Sequence, residues 1–268
     1  MKKQLLLILL LFVFSVDGFS QSSSSVLSTG NWYKFSIDTT GVFKIDNALL
    51  QKMGINTANL DPRNIKIYGN GGAMLPQLNS DFRHDDLVEN AIFVSGEDDG
   101  VFNEEDFILF YGKGPHGWEL NPSLETANHQ QNIYSDKSYY FLTISNSAGK
   151  RISSKPEVTD SATKTITRFD DFLFYEKEQR NLFAIGTQWF GEDFSVNDTQ
   201  NFTFEFKNID VNSPIELKVR GSAISALNSA MNISVNTQNA FSISYPKVTT
   251  GSLTLGYANH NSSRLSVN

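Results

Sequence analysis

Short runs of alternating apolar and polar residues dominate the chain beyond its first two dozen residues. In the run Trp32–Ile37, the side chains of Tyr33, Phe35 and Ile37 share one face of an extended backbone, which is typical of a half-buried β-strand. Similar runs predict further strands at Val42–Ile45, Ile65–Tyr68, Ala91–Val94, Phe107–Tyr111 and Tyr139–Ile144. The Thr39–Gly41 turn predicts that the first two strands pair as a hairpin. Residues 26–150 are therefore predicted to form an N-terminal β module.

One short helix is predicted inside this module, directly after the second strand. Asp46 or Asn47 can cap its first turn, because a side-chain oxygen at that position accepts an otherwise unpaired N–H. Leu49, Leu50 and Met53 then provide an apolar stripe at helical spacing. No other segment of the chain shows a comparable helical signal.

A polar stretch at residues 151–165 predicts a linker between two modules. Beyond it, residues 166–268 are predicted to form a second β-sandwich module. Its expected strands are Phe172–Tyr175, Phe202–Phe206, Ile215–Val219, Met231–Val235, Phe241–Tyr245 and Ser252–Leu255. Because another strand pattern begins at Arg264, we expect this module to be truncated. The predicted fold class is thus mainly β, with two sandwich-like modules and one short helix in the first.

The N-terminus predicts export from the cytoplasm. Lys2 and Lys3 precede the apolar run Leu5–Val16, and the small residues Gly18 and Ser20 follow it, as at the cleavage end of a signal peptide. Residues 1–20 are therefore predicted to be a signal peptide. An uncleaved membrane anchor is the alternative, although the apolar run is shorter than the roughly 20 residues that a membrane span needs. We expect the protein in the periplasm or on the outer-membrane cell surface.

Composition excludes two classes of function. The formal net charge of −7 and the scattered lysines and arginines leave no basic patch, so nucleic acid is not an expected partner. The sequence contains no cysteine, which excludes a lipoprotein anchor, disulfides and thiol catalysis within this chain. Stability must therefore come from apolar burial, for which the chain is long enough.

An acidic segment between two predicted strands offers one candidate metal site. With Gly100 at the sharp turn of a calcium loop, Glu97, Asp99 and Asp106 fall at ligand positions. However, Ser95 stands at the first position, and Asp106 is shorter than the usual closing glutamate. The alternative is a solvated acidic hairpin loop. No other cofactor is expected.

Two tryptophans beside glycines, Trp118 and Trp189, suggest platforms on which sugars could stack. In β proteins, however, aromatic residues more often pack in the core or across neighbouring strands. Both interpretations are open from the sequence.

Several segments, taken in order, resemble one known family. They are Val26–Phe35, Gly41–Ile45, Asn64–Gly72, Asp106–Gly112 and Asn132–Thr143, together with Trp189–Glu192. They are similar to the N-terminal region of the PorU family of type IX secretion sortases, which are gingipain-like C25 cysteine peptidases. Several linked segments in order are more specific than any single motif.

The resemblance implies a catalytic domain that this chain does not contain. Full-length family members carry a Cys nucleophile and a His base after β-rich N-terminal modules. They are expected to cleave C-terminal sorting domains from secreted cargo and to attach the cargo to the cell surface. Without cysteine, this chain should be inactive alone. Its implied partners are the peptidase domain, secretion-system components and cargo proteins. The alternative function is a secreted binding module for glycan or calcium.

Overall fold

The computed structural model describes residues 24–121, 126–182, 189–236, 238–248 and 259–267. The chain is mainly β with antiparallel sheets and one α-helix among these residues, which confirms the predicted fold class. It divides into two compact units, one ending at Ser161 and the other beginning at Ala162; this division lies inside the predicted linker. The predicted signal peptide lies outside the described residues. No helix in the described part is long and apolar enough to cross a membrane.

The first unit contains nine strands and the helix within its described part. They are β1 (Trp32–Ile37), β2 (Gly41–Asp46), α1 (Asn47–Lys52), β3 (Ile65–Tyr68), β4 (Glu89–Asn90), β5 (Ile92–Ser95), β6 (Phe107–Gly112), β7 (Gly117–Asn121), β8 (Thr126–Gln130) and β9 (Ser138–Ile144). One sheet has the order β1-β9-β3-β4 and a second has the order β2-β6-β5, while β7 and β8 form a separate two-stranded ribbon. The six strands predicted for this unit are confirmed as β1, β2, β3, β5, β6 and β9, with ends that differ by at most one residue.

The inner faces of the two larger sheets form one apolar core. Phe110 of β6 is 1% exposed, and its ring lies 5.5 Å from that of Phe35, 5.6 Å from that of Phe43 and 5.3 Å from that of Tyr140. The Tyr140 hydroxyl accepts a hydrogen bond from the Lys113 backbone N–H at 2.7 Å. The phenol thus satisfies its polar atom while its ring fills the core.

The predicted hairpin between the first two strands is wrong. β1 pairs with β9, and β2 pairs with β6. The connection between them crosses from one sheet to the other, so that Phe35 and Phe43 contact Phe110 from different sheets. Burial of these rings between two sheets therefore overrides the local turn signal.

The predicted helix is confirmed, including its caps. Asp46 is the N-cap, and its side chain accepts a hydrogen bond from the Leu49 N–H at 2.9 Å. Leu50 is fully buried and anchors the helix to the core. Gly54 follows with a φ of 87°, a conformation that glycine adopts without a steric penalty.

The second unit has four strands in its described part, arranged as two antiparallel pairs. They are β10 (Ile215–Ala223), β11 (Ser229–Val235), β12 (Gln238–Tyr245) and β13 (Asn259–Val267). β10 pairs with β13 and β11 pairs with β12. Three predicted strands, at residues 215–219, 231–235 and 241–245, are confirmed, and the one at residues 252–255 lies outside the described residues.

Two strands predicted in the second unit are wrong. Phe172–Tyr175 and Phe202–Phe206 adopt no regular secondary structure, and the aromatic side chains of Phe174 and Phe204 are 42% and 44% exposed. An alternating pattern sets which side chains share a face, but a strand also needs a continuous backbone ladder. Among the described residues no ladder includes either segment.

Candidate interaction surface

The predicted calcium loop lies between β5 and β6 and begins with a tight 3₁₀ turn at Glu97–Asp99. Glu97 is half-buried in an ion pair, in which the Arg151 Nε lies 2.7 Å from its Oε2. Arg151 also donates a hydrogen bond to the Pro62 carbonyl at 2.9 Å. The Glu97 carboxylate therefore holds the segment that leaves the first unit against the acidic loop.

The other two predicted ligands accept hydrogen bonds from within the loop. Asp99 accepts from the Val101 N–H and from the Asn103 side-chain amide, both at 2.9 Å. Asp106 is 7% exposed and accepts from the Asn103 backbone N–H at 2.7 Å. In the described part of the chain, no three acidic or histidine side chains are arranged to hold a metal ion. Calcium binding at Glu97, Asp99 and Asp106 stays a prediction.

Arg151 is a residue whose role the sequence did not reveal. It forms a parallel bridge with Ile92 of β5, and the neighbouring Ile152 N–H donates to the Ile92 carbonyl at 2.9 Å. The segment thus covers part of the open edge of β5, where unpaired backbone groups would otherwise face solvent. In the sequence, Arg151 is a single arginine more than fifty positions after Glu97, and no spacing rule predicts that the two side chains pair.

The two tryptophans predicted as sugar platforms belong to different units. Trp118, on β7, is 40% exposed and shares one face of the ribbon with Leu120, which is 61% exposed, and with His129. The Trp118 ring lies edge-on to the His129 ring at 5.1 Å. Trp189, in the second unit, is 39% exposed. Both indoles are accessible, and sugar binding at either position stays a prediction.

The environment of His129 predicts a measurable pH dependence. Burial, and secondly the neighbouring His116, lower the pKa of His129 from 6.5 to about 4. Because the unfolded chain then binds the proton more readily, the stabilising contribution of neutral His129 is complete above pH 6.5 and decreases as the pH falls toward 4. We expect an NMR titration of the imidazole to show a midpoint well below 6.5.

As the pH falls from 6.5 toward 4, the free energy of unfolding of a His129→Gln variant should decrease less than that of the parent chain. His84→Gln is the matched control, since His84 lies on an exposed loop. A His129 midpoint at the ordinary value, or equal pH dependence of both variants, would contradict the prediction.

The largest unexplained feature of the first unit is an outer apolar face on the sheet β2-β6-β5. It consists of the outward-facing side chains Val42, Phe93, Phe107, Leu109 and Tyr111. Val42 is 68% exposed, Tyr111 54% and Phe93 45%. Contiguous apolar side chains on a soluble surface usually mark a contact with another molecule or domain.

Register places these side chains in adjacent positions on the three strands. Val42 lies opposite Tyr111, and Leu109 lies opposite Phe93, so each pair is within side-chain contact range across the sheet. The Phe93 and Phe107 rings are 6.3 Å apart. The sequence signal was the uninterrupted apolar run of β6, because a strand that is apolar on both faces is typically covered on both sides. Lys44, Asp46 and Ser95 share this face at its paired positions, so the apolar side chains are bordered by polar ones.

Comparison with known proteins points in one direction. No family model matches the sequence, and no curated protein matches it. Among solved structures, the chain is similar to dimeric latent PorU from Porphyromonas gingivalis, with a TM-score of 0.66 and 26% sequence identity. The similarity covers 91% of this chain and 22% of the solved chain. These values support a PorU-like relationship for nearly the whole chain, which spans less than a quarter of the solved protein.

Proposed function

We propose that this chain is the N-terminal, non-catalytic region of a PorU-like sortase of the type IX secretion system. Its task is to support the peptidase domain that the rest of such a protein supplies. In full-length form, that protein would cleave C-terminal sorting domains from secreted cargo and attach the cargo to the cell surface. The observation that carries the proposal is the structural similarity to PorU over 91% of the chain.

The chemistry of the chain is consistent with a supporting role. A C25 peptidase needs a thiolate nucleophile, and this sequence contains no cysteine. The acidic side chains of the β5–β6 loop are engaged in internal hydrogen bonds and in the pair between Glu97 and Arg151. The alternative, a free-standing module for glycan or calcium, is not favoured by a similarity to one region of a larger protein.

The proposal includes a location and partners. The chain would be exported to the periplasm or the outer-membrane cell surface, where secretion-system components and cargo meet the sortase. Its permanent partner would be the peptidase domain of the same polypeptide.

Deleting this region from the complete chromosomal gene, while retaining the signal peptide, tests the proposal. We expect cells with the deletion to accumulate cargo that keeps its sorting domain, as cells with a Cys→Ala change at the peptidase nucleophile should. The purified chain without its predicted signal peptide, residues 21–268, should show no cleavage of a sorting-domain substrate. Normal cargo processing by the deletion strain, or cleavage by the chain alone that resists thiol-blocking reagents, would refute the proposal.

A further inference from the structure

We propose that the His116 imidazole is a pH-sensitive latch at the base of the β7–β8 ribbon, closed while its Nδ1 carries no proton and open once it does. The latch is a property of the first unit and is independent of the proposed function. It controls how firmly the ribbon is held, together with its exposed side chains Trp118 and Leu120.

The latch is one hydrogen bond between the two ends of the ribbon. His116 directly precedes β7, and its Nδ1 accepts a hydrogen bond at 3.2 Å from the backbone N–H of Asn132, which lies two residues beyond β8. A ring nitrogen of histidine accepts a hydrogen bond only while it carries no proton, because the protonated ring is a donor at both nitrogens. A proton on Nδ1 therefore points at another N–H and breaks the bond.

Asn132 is the fixed point against which the latch holds the ribbon. Its side-chain amide donates to the Gly72 carbonyl at 2.5 Å, and its Oδ1 accepts from the Tyr134 N–H at 2.9 Å. By contrast, β7 is exposed at each of its five residues. A segment with few buried contacts opens locally at a low free energy, so the loss of one hydrogen bond at the base of the ribbon strongly changes its open fraction.

Two titratable groups face the His116 imidazole in the described part of the chain. The Asp136 Oδ1 lies 3.7 Å from Nε2, which is too far for a hydrogen bond but favours a positive ring. The His129 ring lies at 6.0 Å, and burial, with His116 as the second cause, lowers the pKa of His129 to about 4. His129 is therefore neutral where an ordinary imidazole gains its proton. Glu119 lies on the opposite face of the ribbon, where it accepts from the Gln130 side chain, so the latch responds to one proton on His116.

Hydrogen exchange of the Asn132 amide, resolved by NMR in residues 21–268, tests the latch. Each rate is divided by that of an unstructured peptide at the same pH, so that the intrinsic effect of pH on exchange cancels. We expect the protection of this amide to fall at least about tenfold between about pH 7.5 and pH 5.5, because the open ribbon lacks the protecting bond. The Lys113 amide is the internal control, since it donates at 2.7 Å to the Tyr140 hydroxyl, which does not titrate in this range.

His116→Asn separates the proton from the hydrogen bond, because an asparagine side-chain oxygen accepts a hydrogen bond without titrating. In this variant we expect the protection of the Asn132 amide to be the same at both pH values. His84→Asn, on an exposed loop, is the matched control and should keep the full pH dependence. Asp136→Asn should move the loss of protection to lower pH by roughly a few tenths of a pH unit, because a carboxylate that is 92% exposed favours the positive ring only weakly.

Equal protection of the Asn132 amide at the two pH values in the parent chain would overturn the inference. A loss of the same size in the His116→Asn variant would also overturn it, since the responding proton would then lie on another group. If His116→Asn does not fold, Asp136→Asn decides: a loss of protection that moves to higher pH contradicts the latch, and one that moves to lower pH supports it.

Discussion

Replacing Phe110 by alanine should lower the free energy of unfolding of the first unit by about 3–5 kcal/mol. Phe110 is 1% exposed and lies between aromatic side chains from both sheets, with Phe35 and Tyr140 on one side and Phe43 on its own sheet. Truncation removes the ring and leaves a cavity that these rigid neighbours cannot fill without leaving their rotamers. Native-state hydrogen exchange of the β6 and β9 amides measures the effect on this unit alone.

The adjacent residue provides the matched control. Tyr111 lies on the same strand but faces outward and is 54% exposed, so Tyr111→Ala should cost about 1 kcal/mol or less. Equal losses for the two variants would show that β6 does not have one face in the core and one on the surface, and the description of the outer apolar face would then be wrong.

The longer apolar strands of the first unit were predictable, but their pairings were not. Alternation identified β1 and β2 because each places every second side chain in the core. Pairing depends on contacts between residues far apart in sequence: Phe35 lies opposite Tyr140, and Phe43 opposite Phe110. A local turn signal at Thr39–Gly41 contains no information about these distant partners, so the predicted hairpin failed.

Short elements without an alternating apolar pattern could not be predicted. β7 is exposed at each of its five residues, and it pairs with β8 through a ribbon whose polar face is held by the bond from the Gln130 side chain to Glu119 at 2.8 Å. β8 alternates half-buried Ala127 and His129 with exposed Asn128 and Gln130, but a small residue and a histidine do not produce a recognisable apolar period of two. The opposite error occurred at Phe172–Tyr175, where alternation is present but a strand is absent.

At the candidate site too, the local composition was readable from the sequence, but the contacts between distant residues were not. The acidic composition of the β5–β6 loop was evident from the sequence, and it allowed a calcium interpretation. The partner of Glu97 is Arg151, which the fold brings to the loop from beyond β9. The uninterrupted apolar run of β6 was the sequence signal for the outer apolar face. Only the strand register shows that Val42 of β2 and Phe93 of β5 extend this face on both sides.

Gly96→Ala should destabilise the first unit more than an ordinary glycine substitution, because the acidic loop is packed as a structural element. Gly96 has a φ of 83°, which costs a non-glycine residue about 1 kcal/mol. In addition, a Cβ at this position would overlap the buried carboxylate of Asp106. Moving that carboxylate breaks its 2.7 Å hydrogen bond with the Asn103 N–H, and such overpacking costs about a further 1–3 kcal/mol.

Gly54→Ala separates the two contributions. Gly54 has nearly the same φ, 87°, but a Cβ there meets no atom within 4 Å, so only the backbone cost of about 1 kcal/mol applies. In an Asp106→Ala background, the cost of Gly96→Ala should fall to that of Gly54→Ala, since the clashing group is gone and the two sites are coupled through it. Urea denaturation of the four variants gives the coupling energy directly. Equal costs for Gly96→Ala and Gly54→Ala in the parent chain would mean that the Asp106 carboxylate is free to move aside. A loop that rearranges on binding calcium would require that freedom.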